Sequence, residues 1–234
     1  MFGIKARRSK RGKEEAEKPF WISFSDLMTA LMVLFLVAMA VALMAVTKPG
    51  DERGTGIGSC MQKMQNLASR EGFTVKDYSI EFGEAAEFKD DDHRLDPDQE
   101  RRVRAFMPKV LEAAGNPDCN RWLKRVVVEG FASPKDKQGK PGSYLYNLNL
   151  SFLRSQRILC VVLDSQAGDA LEPDVRGRIK TLFFAGGSSF STMGKSDDQM
   201  RRVELKLEFL GLDESREKRE IPLGGDDSCP NDSR

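Results

Sequence analysis

Residues 20–46, FWISFSDLMTALMVLFLVAMAVALMAV, form the longest apolar stretch of this 234-residue chain. From Leu27 to Val46 the only polar side chain is that of Thr29. Twenty helical residues rise about 30 Å, which is the thickness of the hydrocarbon core of a bilayer. The stretch therefore predicts one membrane-spanning helix at residues 20–47.

Asp26 is the only charged residue of this stretch. A charge within a membrane helix costs about 2.5–3.5 kcal/mol on insertion scales, so it should be paired, protonated or turned to a wet cavity. No base lies near it in its own helix, which favours a proton or ion site completed by another subunit, with Ser25 and Thr29 in support. The alternative is an acid at the membrane interface, but Phe20 and Trp21, typical interface anchors, come before it.

The flanks of the stretch predict its orientation and its neighbours. The basic residues of the 1–19 tail outnumber its acids, whereas the far flank, residues 48–53, is balanced. By the positive-inside rule the N-terminus is cytoplasmic and the chain after Val46 is exported.

A cleaved signal peptide is the alternative, since residues 40–42 mimic a cleavage site, but the run is long for one. The face shared with Asp26 carries smaller side chains suited to contact with partner helices: Thr29, Ala30, Val33, Val37 and Ala40.

Composition limits the function of the exported part. A net charge of +1 with 31% charged residues argues against direct nucleic-acid binding. About 180 residues follow the membrane stretch, enough for one α+β domain with its own core. With one histidine and no nucleophile or phosphate-loop motif, we expect neither an enzyme nor a bound cofactor.

The four cysteines all follow the membrane stretch. An even number in an exported chain predicts two disulfides, and the lack of a CxxC pair argues against zinc. Four cysteines allow three pairings, which the sequence does not separate. Our expectation is Cys119–Cys160 within the domain and Cys60–Cys229 joining its two ends.

Four predicted segments lie between the membrane stretch and the first long helix of the domain, one of them a strand or hairpin at residues 74–88. Residues 48–59, rich in glycine and charge, predict a linker, and residues 60–70 a short amphipathic helix. Residues 89–93 predict a polar loop. Its three consecutive aspartates lack the spacing and glycine of an EF-hand, so a solvated charge run is favoured over a calcium site.

The remaining patterns predict an α+β fold in the order strand–helix–strand–helix–strand, with the helices on one face. Asp96 and Pro97 begin a helix that ends near Gly115. A strand or hairpin precedes it, and residues 213–234 predict a disordered tail. The other elements are a strand at 125–131, a loop at 133–142, a helix from Tyr146 to about Asp164, and strands at 181–185 and 202–209.

The motifs of this part resemble the peptidoglycan-binding domain of the OmpA/MotB family over residues 75–210. The matching block is Val128-Glu129-Gly130, Tyr146-Asn147, Leu150-Ser151, Arg154 and Arg201-Arg202-Val203-Glu204. The resemblance implies an OmpA-like domain at 74–212 that binds peptidoglycan through Tyr146, Asn147, Leu150, Arg154 and Ser133. Arg154 would pair the carboxylate of diaminopimelate.

One residue departs from the family pattern. The turn that reads G-H-T-D in the family reads Gly130-Phe131-Ala132-Ser133 here. Ser133 thus stands where the family's aspartate binds the amine of diaminopimelate. The missing carboxylate predicts binding that is weaker, altered or supported by another part of the chain.

The N-terminal pattern, W-x-x-x-x-D-L-M-x-x-L-M before an apolar run, is similar to MotB-type stator subunits. The opening KPFWISFSDLMTALMVLFLV is most similar to the MotB-like subunits of Zorya anti-phage defence systems. This resemblance implies a homodimer inside five MotA- or ZorA-like multipass subunits, in contact with the lipids of the bacterial inner membrane. Asp26 would carry the transported H⁺ or Na⁺. A flagellar-type stator subunit and a structural membrane–wall tether are the alternatives.

Overall fold

The computed structural model describes residues 11–134, 142–190, 200–216 and 229. These residues fall into two compact units, the first ending at Glu52 and the second beginning at Arg53. Helix α1 (Arg11–Arg70) contributes to both. The predicted tail is described only at residues 213–216 and 229, so most of it lies outside the described residues.

The first unit consists of the N-terminal part of α1. Within Ser23–Arg70 the most apolar 18-residue window has a mean hydropathy of 2.7, and none of that window is buried. Among the described residues this is the one helix long and apolar enough to cross a membrane. Residues 23–45 are exposed throughout, which suits a helix whose surroundings are lipid and partner helices. The membrane helix predicted at residues 20–47 lies within α1.

The predicted linker at residues 48–59 is wrong: this segment is helical within α1. The glycine content lowers its helix propensity, but packing within the second unit outweighs that cost. Ile57, Cys60, Met64 and Ala68 recur at helical spacing and are all buried. The short helix predicted at 60–70 is therefore the end of a longer one.

The second unit is built on a five-stranded sheet in the order β1-β2-β5-β3-β4. Strands β3 and β4 are parallel, and the other neighbours are antiparallel. Val128 of β3 pairs with Ala185 of β4 and Leu205 of β5, so β3 is a central strand. The strands are β1 (Thr74–Lys76), β2 (Ser79–Glu81), β3 (Leu123–Gly130), β4 (Phe183–Gly187) and β5 (Val203–Phe209).

Two long helices, α2 (Pro97–Gly115) and α4 (Tyr144–Leu163), add the main helical faces of this core. α2 begins as predicted: the Asp96 carboxylate accepts from the backbone N–H groups of Asp98 and Gln99, and the Gln99 side chain accepts from Asp96 N–H. Two shorter helices, α3 (Pro117–Trp122) and α5 (Pro173–Leu182), and a 3-10 helix at Gly83–Ala86 were not predicted. The predicted α+β class and the β-α-β-α-β order of an OmpA-like domain are confirmed.

The cysteines form two disulfides as predicted, but the expected pairing is wrong. Cys60 bonds to Cys119, with their Cα atoms 4.8 Å apart, and Cys160 bonds to Cys229, with their Cα atoms 5.3 Å apart. The expectation failed because it treated residue 60 as part of a loose approach to the domain. The helix that carries Cys60 instead packs against α3, where Ser59 and Lys63 both contact Asp118.

Candidate functional site

All five residues predicted to bind the wall line one pocket of the second unit. This pocket is partly open to solvent. Its walls come from the N-terminal half of α4, the segment after β3, the loop after Phe88 and the residue pair before β5. The lining residues are Asp90, Asp91, Ser133, Gly142, Tyr146, Asn147, Leu150, Arg154 and Arg201.

The close contact between α4 and the end of β3 shapes this pocket. A Cβ atom at Gly130 would lie 1.9 Å from the Ser151 carbonyl oxygen, so only glycine permits the contact. Ser151 is fully buried; its hydroxyl donates to Leu148 O (2.7 Å) and accepts from Ser189 N–H (3.0 Å). The glycine and serine of the motif therefore fix where the first turns of α4 lie.

Arg154 is fully buried and binds main-chain carbonyls. Its Nε donates to Asp92 O (2.9 Å), and its terminal nitrogens donate to Phe131 O (2.8 Å) and Lys89 O (3.1 Å). These bonds use three of the five guanidinium N–H groups. Arg154 thus joins the end of β3 to the 89–92 loop.

The buried position of Arg154 perturbs its acidity. Burial, together with the positive charge of Arg201, lowers the pKa of Arg154 to about 10, although the charges of Asp90, Asp92 and Asp91 oppose the decrease. The guanidinium therefore remains charged at neutral pH. Its charge is balanced through space by the acidic loop.

The three aspartates of the 89–93 loop, predicted as a solvated charge run, have different surroundings: Asp90 is exposed, and Asp91 and Asp92 are half-buried. Asp92 is paired with Arg94 and accepts from the backbone N–H of His93; hydrogen bonds from Arg94 make the largest contribution to lowering its pKa to about 2. Asp90 and Asp91 line the pocket. The Asp90 carboxylate lies 3.9 Å from a terminal nitrogen of Arg201.

Tyr146 and Asn147 begin the α4 side of the pocket. The Tyr146 hydroxyl donates to the Asp91 carboxylate, and this hydrogen bond raises the pKa of Tyr146. Asn147 is 4% exposed, and its side-chain nitrogen has no acceptor in the described part of the chain. A buried amide donor of this kind is normally satisfied, so it marks a place where a ligand oxygen would be stabilised.

Four lining residues had not been assigned to the site from the sequence, Gly142 and three charged ones. Arg201 belongs to the Arg201-Arg202-Val203-Glu204 motif already quoted, so its position in that motif was an available signal. Asp90 and Asp91 carry no spacing signal of their own. They reach the pocket because Arg154 folds their loop against it, a long-range contact that sequence patterns do not report.

Asp26 lies in the first unit, on the exposed surface of α1. The Thr29 hydroxyl donates to the Ser25 carbonyl, one turn earlier, over 2.6 Å. Thr29 follows Asp26 by three residues, so the two side chains share a face of the helix. The oxygen lone pairs of Thr29 remain as acceptors beside the carboxylate.

Comparison with known proteins gives results for both parts of the chain. Residues 5–48 match the family model described as membrane MotB of the proton-channel complex MotA/MotB. The chain is also 39% identical over 230 residues to the Zorya protein ZorB of Escherichia coli O139:H28 (strain E24377A / ETEC). That alignment covers 93% of this chain and 89% of the relative.

Three solved structures resemble part of this chain at low identity. The OmpA-like domain of FopA1 from Francisella tularensis is 21% identical, covering 59% of this chain and 82% of that one, with a TM-score of 0.36. The peptidoglycan-associated lipoprotein from Burkholderia pseudomallei is 14% identical, covering 56% and 91%, with a TM-score of 0.36. The periplasmic domain of Helicobacter pylori MotB is 11% identical, covering 60% and 83%, with a TM-score of 0.40.

A membrane helix that matches the MotB model, followed by a mixed α/β domain, defines the class of MotB-like membrane subunits. Subunits of this class are non-enzymatic. The extended similarity identifies the particular family: the chain belongs to the ZorB proteins of Zorya systems. The family resemblance predicted from the sequence is thereby confirmed.

Proposed function

We propose that this chain is the ion-conducting, wall-anchored subunit of a membrane motor complex used in anti-phage defence. The observation that carries the proposal is the combination of one carboxylate on an exposed apolar helix with a pocket that collects all five predicted wall-binding residues. Ion flow through the membrane part can move a partner subunit only if this chain is itself held in place. Binding to the cell wall holds the chain in place.

Asp26 carries the transported H⁺ or Na⁺ in this proposal, with Ser25 and Thr29 in support. One elementary charge crossing the full membrane potential supplies about 2.3 kcal/mol per 100 mV. Neutralising Asp26 removes the cost of its charge against an apolar partner surface, so the preferred contact of the helix changes with each ion bound. Repeated binding and release would step the partner ring around the helix.

The pocket of the second unit binds peptidoglycan through Tyr146, Asn147, Leu150, Arg154 and Ser133. Leu150 supplies an apolar wall, and Asn147 supplies an unsatisfied donor. Arg154 contributes a positive charge to the lining of the pocket and holds the 89–92 loop through its carbonyl bonds.

The complex that fits this chain is a homodimer of single-pass subunits in the bacterial inner membrane. The N-terminus is cytoplasmic, and about five MotA- or ZorA-like multipass subunits surround the pair. The small residues on the Asp26 face of α1, including Ala30 and Ala40, are exposed and permit close helix contact.

The ion site is tested with Asp26→Asn in cells that carry the complete defence system. The variant keeps the size and polarity of the side chain but cannot ionise, so phage protection should be lost while the multipass partner still copurifies. Asp51→Asn, the same change at an exposed position of α1 beyond the apolar run, is the control and should keep protection. Full protection by Asp26→Asn would refute ion transport at this residue and favour the structural tether.

The wall-binding arm is tested by retention of the detergent-solubilised protein on purified sacculi. Retention should be specific and should be reduced by free diaminopimelate. If the protein stays in the soluble fraction at all concentrations tested, the proposed peptidoglycan binding is contradicted.

A further inference from the structure

We infer that Asp90 and Asp91 supply the carboxylates that receive the ligand's ammonium group, in place of the acid missing at Ser133. This inference rests on the proposed wall binding and specifies its ligand class: an amino-acid zwitterion, with its ammonium and carboxylate groups close together. The receptor for the ammonium group has moved from the end of β3 to the loop after Phe88.

The chemistry at residue 133 requires such a replacement. Ser133 is 5% exposed and lines the pocket, but a hydroxyl carries no charge to balance an ammonium group. Asp90 and Asp91 line the same pocket from a different loop. Carboxylates bind ammonium groups through charge-assisted hydrogen bonds, which are about twice as strong as neutral ones.

Only two of the three consecutive aspartates have this role. Asp92 is committed to Arg94, with both carboxylate oxygens accepting from that guanidinium. The Asp90 side chain is 44% exposed, so a ligand can reach it. Asp91 is fixed at the pocket by the Tyr146 hydroxyl, which donates to its carboxylate.

Arg154 fixes the backbone of the loop that carries Asp90 and Asp91. It binds the carbonyls of Lys89 and Asp92, the residues immediately before and after Asp90 and Asp91. Its third bond, to Phe131 O, anchors the guanidinium to the segment after β3. Arg154 is thus a positioning residue for the acids.

The opposite end of the ligand has its own partners. The orphaned Asn147 nitrogen is a buried donor that lines the pocket. Arg201 lines it as well and brings a second positive charge beside Asp90. The pocket thus contains two carboxylates as well as the donors of Asn147 and Arg201. This combination of acceptors and donors suits a zwitterion better than a simple anion or a simple cation.

The test compares retention on purified sacculi of the detergent-solubilised wild type, D90N, D91N and the double variant. Glu112→Gln, the same acid-to-amide change at an exposed position of α2, is the matched control. We expect the double variant to bind at least about tenfold more weakly, the single variants to lie between, and the control to match the wild type. Equal retention of the wild type and a folded double variant would overturn the inference and leave wall binding intact.

A second measurement does not depend on the folding of any variant. Acetylating the free amines of the sacculi removes the ammonium charge while leaving the carboxylates, so retention of the wild-type protein should fall by a similar factor. Undiminished retention on acetylated sacculi would overturn the inference. Failure of the wild type to bind untreated sacculi would instead refute the proposed wall binding itself.

Discussion

Gly130→Ala should destabilise the second unit by about 3 kcal/mol, the upper end of the usual cost of overpacking. The new Cβ would lie 1.9 Å from the Ser151 carbonyl oxygen and 3.2 Å from the Ser155 backbone nitrogen. Real Cβ atoms essentially never approach closer than 3.0 Å, so α4 would have to move by about 1 Å. Both obstacles are backbone atoms, which no side-chain rotation can relieve.

The measurement is urea unfolding of the detergent-solubilised protein, followed by tryptophan fluorescence. Gly168→Ala is the control, because a Cβ there meets nothing within 4 Å, and its effect should stay within about 0.5 kcal/mol. A shift of α4 would also displace Asn147 and Arg154, so retention on sacculi should fall for Gly130→Ala even under conditions where the protein is folded. Equal stability of the two variants would refute the close-contact argument.

Two further predictions concern stability. Replacing Cys60 and Cys119 together with serine should cost about 4 kcal/mol by the loop-entropy estimate for the separation of 59 residues; a loss below about 1 kcal/mol in urea unfolding would contradict it. The pKa of Asp92 is lowered from 3.8 to about 2 on folding, so its stabilisation is present above pH 4 and is lost as the pH falls through 2. Allowing for the exposed Arg94 partner, this amounts to about 1–2 kcal/mol, and Asp92→Asn should remove that part of the acid sensitivity in unfolding curves at pH 5, 3 and 2.

The elements with strong local signals could be predicted from the sequence. α2 was predicted at both ends because Asp96 and Pro97 are favoured at a helix start and Gly115-Asn116-Pro117 at a helix end. β5 was predicted by alternation, although Glu204 is buried rather than exposed. Its carboxylate accepts from Arg202 Nε (2.7 Å), and Arg202 stacks over Phe131.

The failures arose where distant contacts decide the structure. The glycines of residues 48–59 indicate a flexible linker, but a Cβ at Gly56 would lie 2.3 Å from the Trp122 ring, so that glycine serves the packing of the helix against α3. The cysteine pairing depends on the same contact. Neither can be obtained from local propensity, because both need the position of Trp122 relative to α1.

The site shows the same division between local motif and long-range contact. Tyr146, Asn147, Leu150 and Arg154 share one helix at fixed spacing, so a sequence motif could identify them as a group. Asp90 and Asp91 lie more than fifty residues earlier and are brought to the pocket by three carbonyl bonds of Arg154. The sequence indicated that an acid was missing at 133 but not which residues replaced it.

The contacts of Arg154 also determine which substitution can separate binding from folding. Removing this buried guanidinium would orphan the Lys89, Asp92 and Phe131 carbonyls and release the loop, so binding would be lost whether Arg154 contacts the ligand or only positions the acids. Asp90 and Asp91 are free of this ambiguity. They are not part of the hydrophobic core, and an asparagine at 91 can still accept from Tyr146. The acid-to-amide changes alter the charge presented to the ligand and keep the loop. The Asp90 and Asp91 variants, rather than a variant of Arg154, therefore test the proposed binding of the domain to the wall.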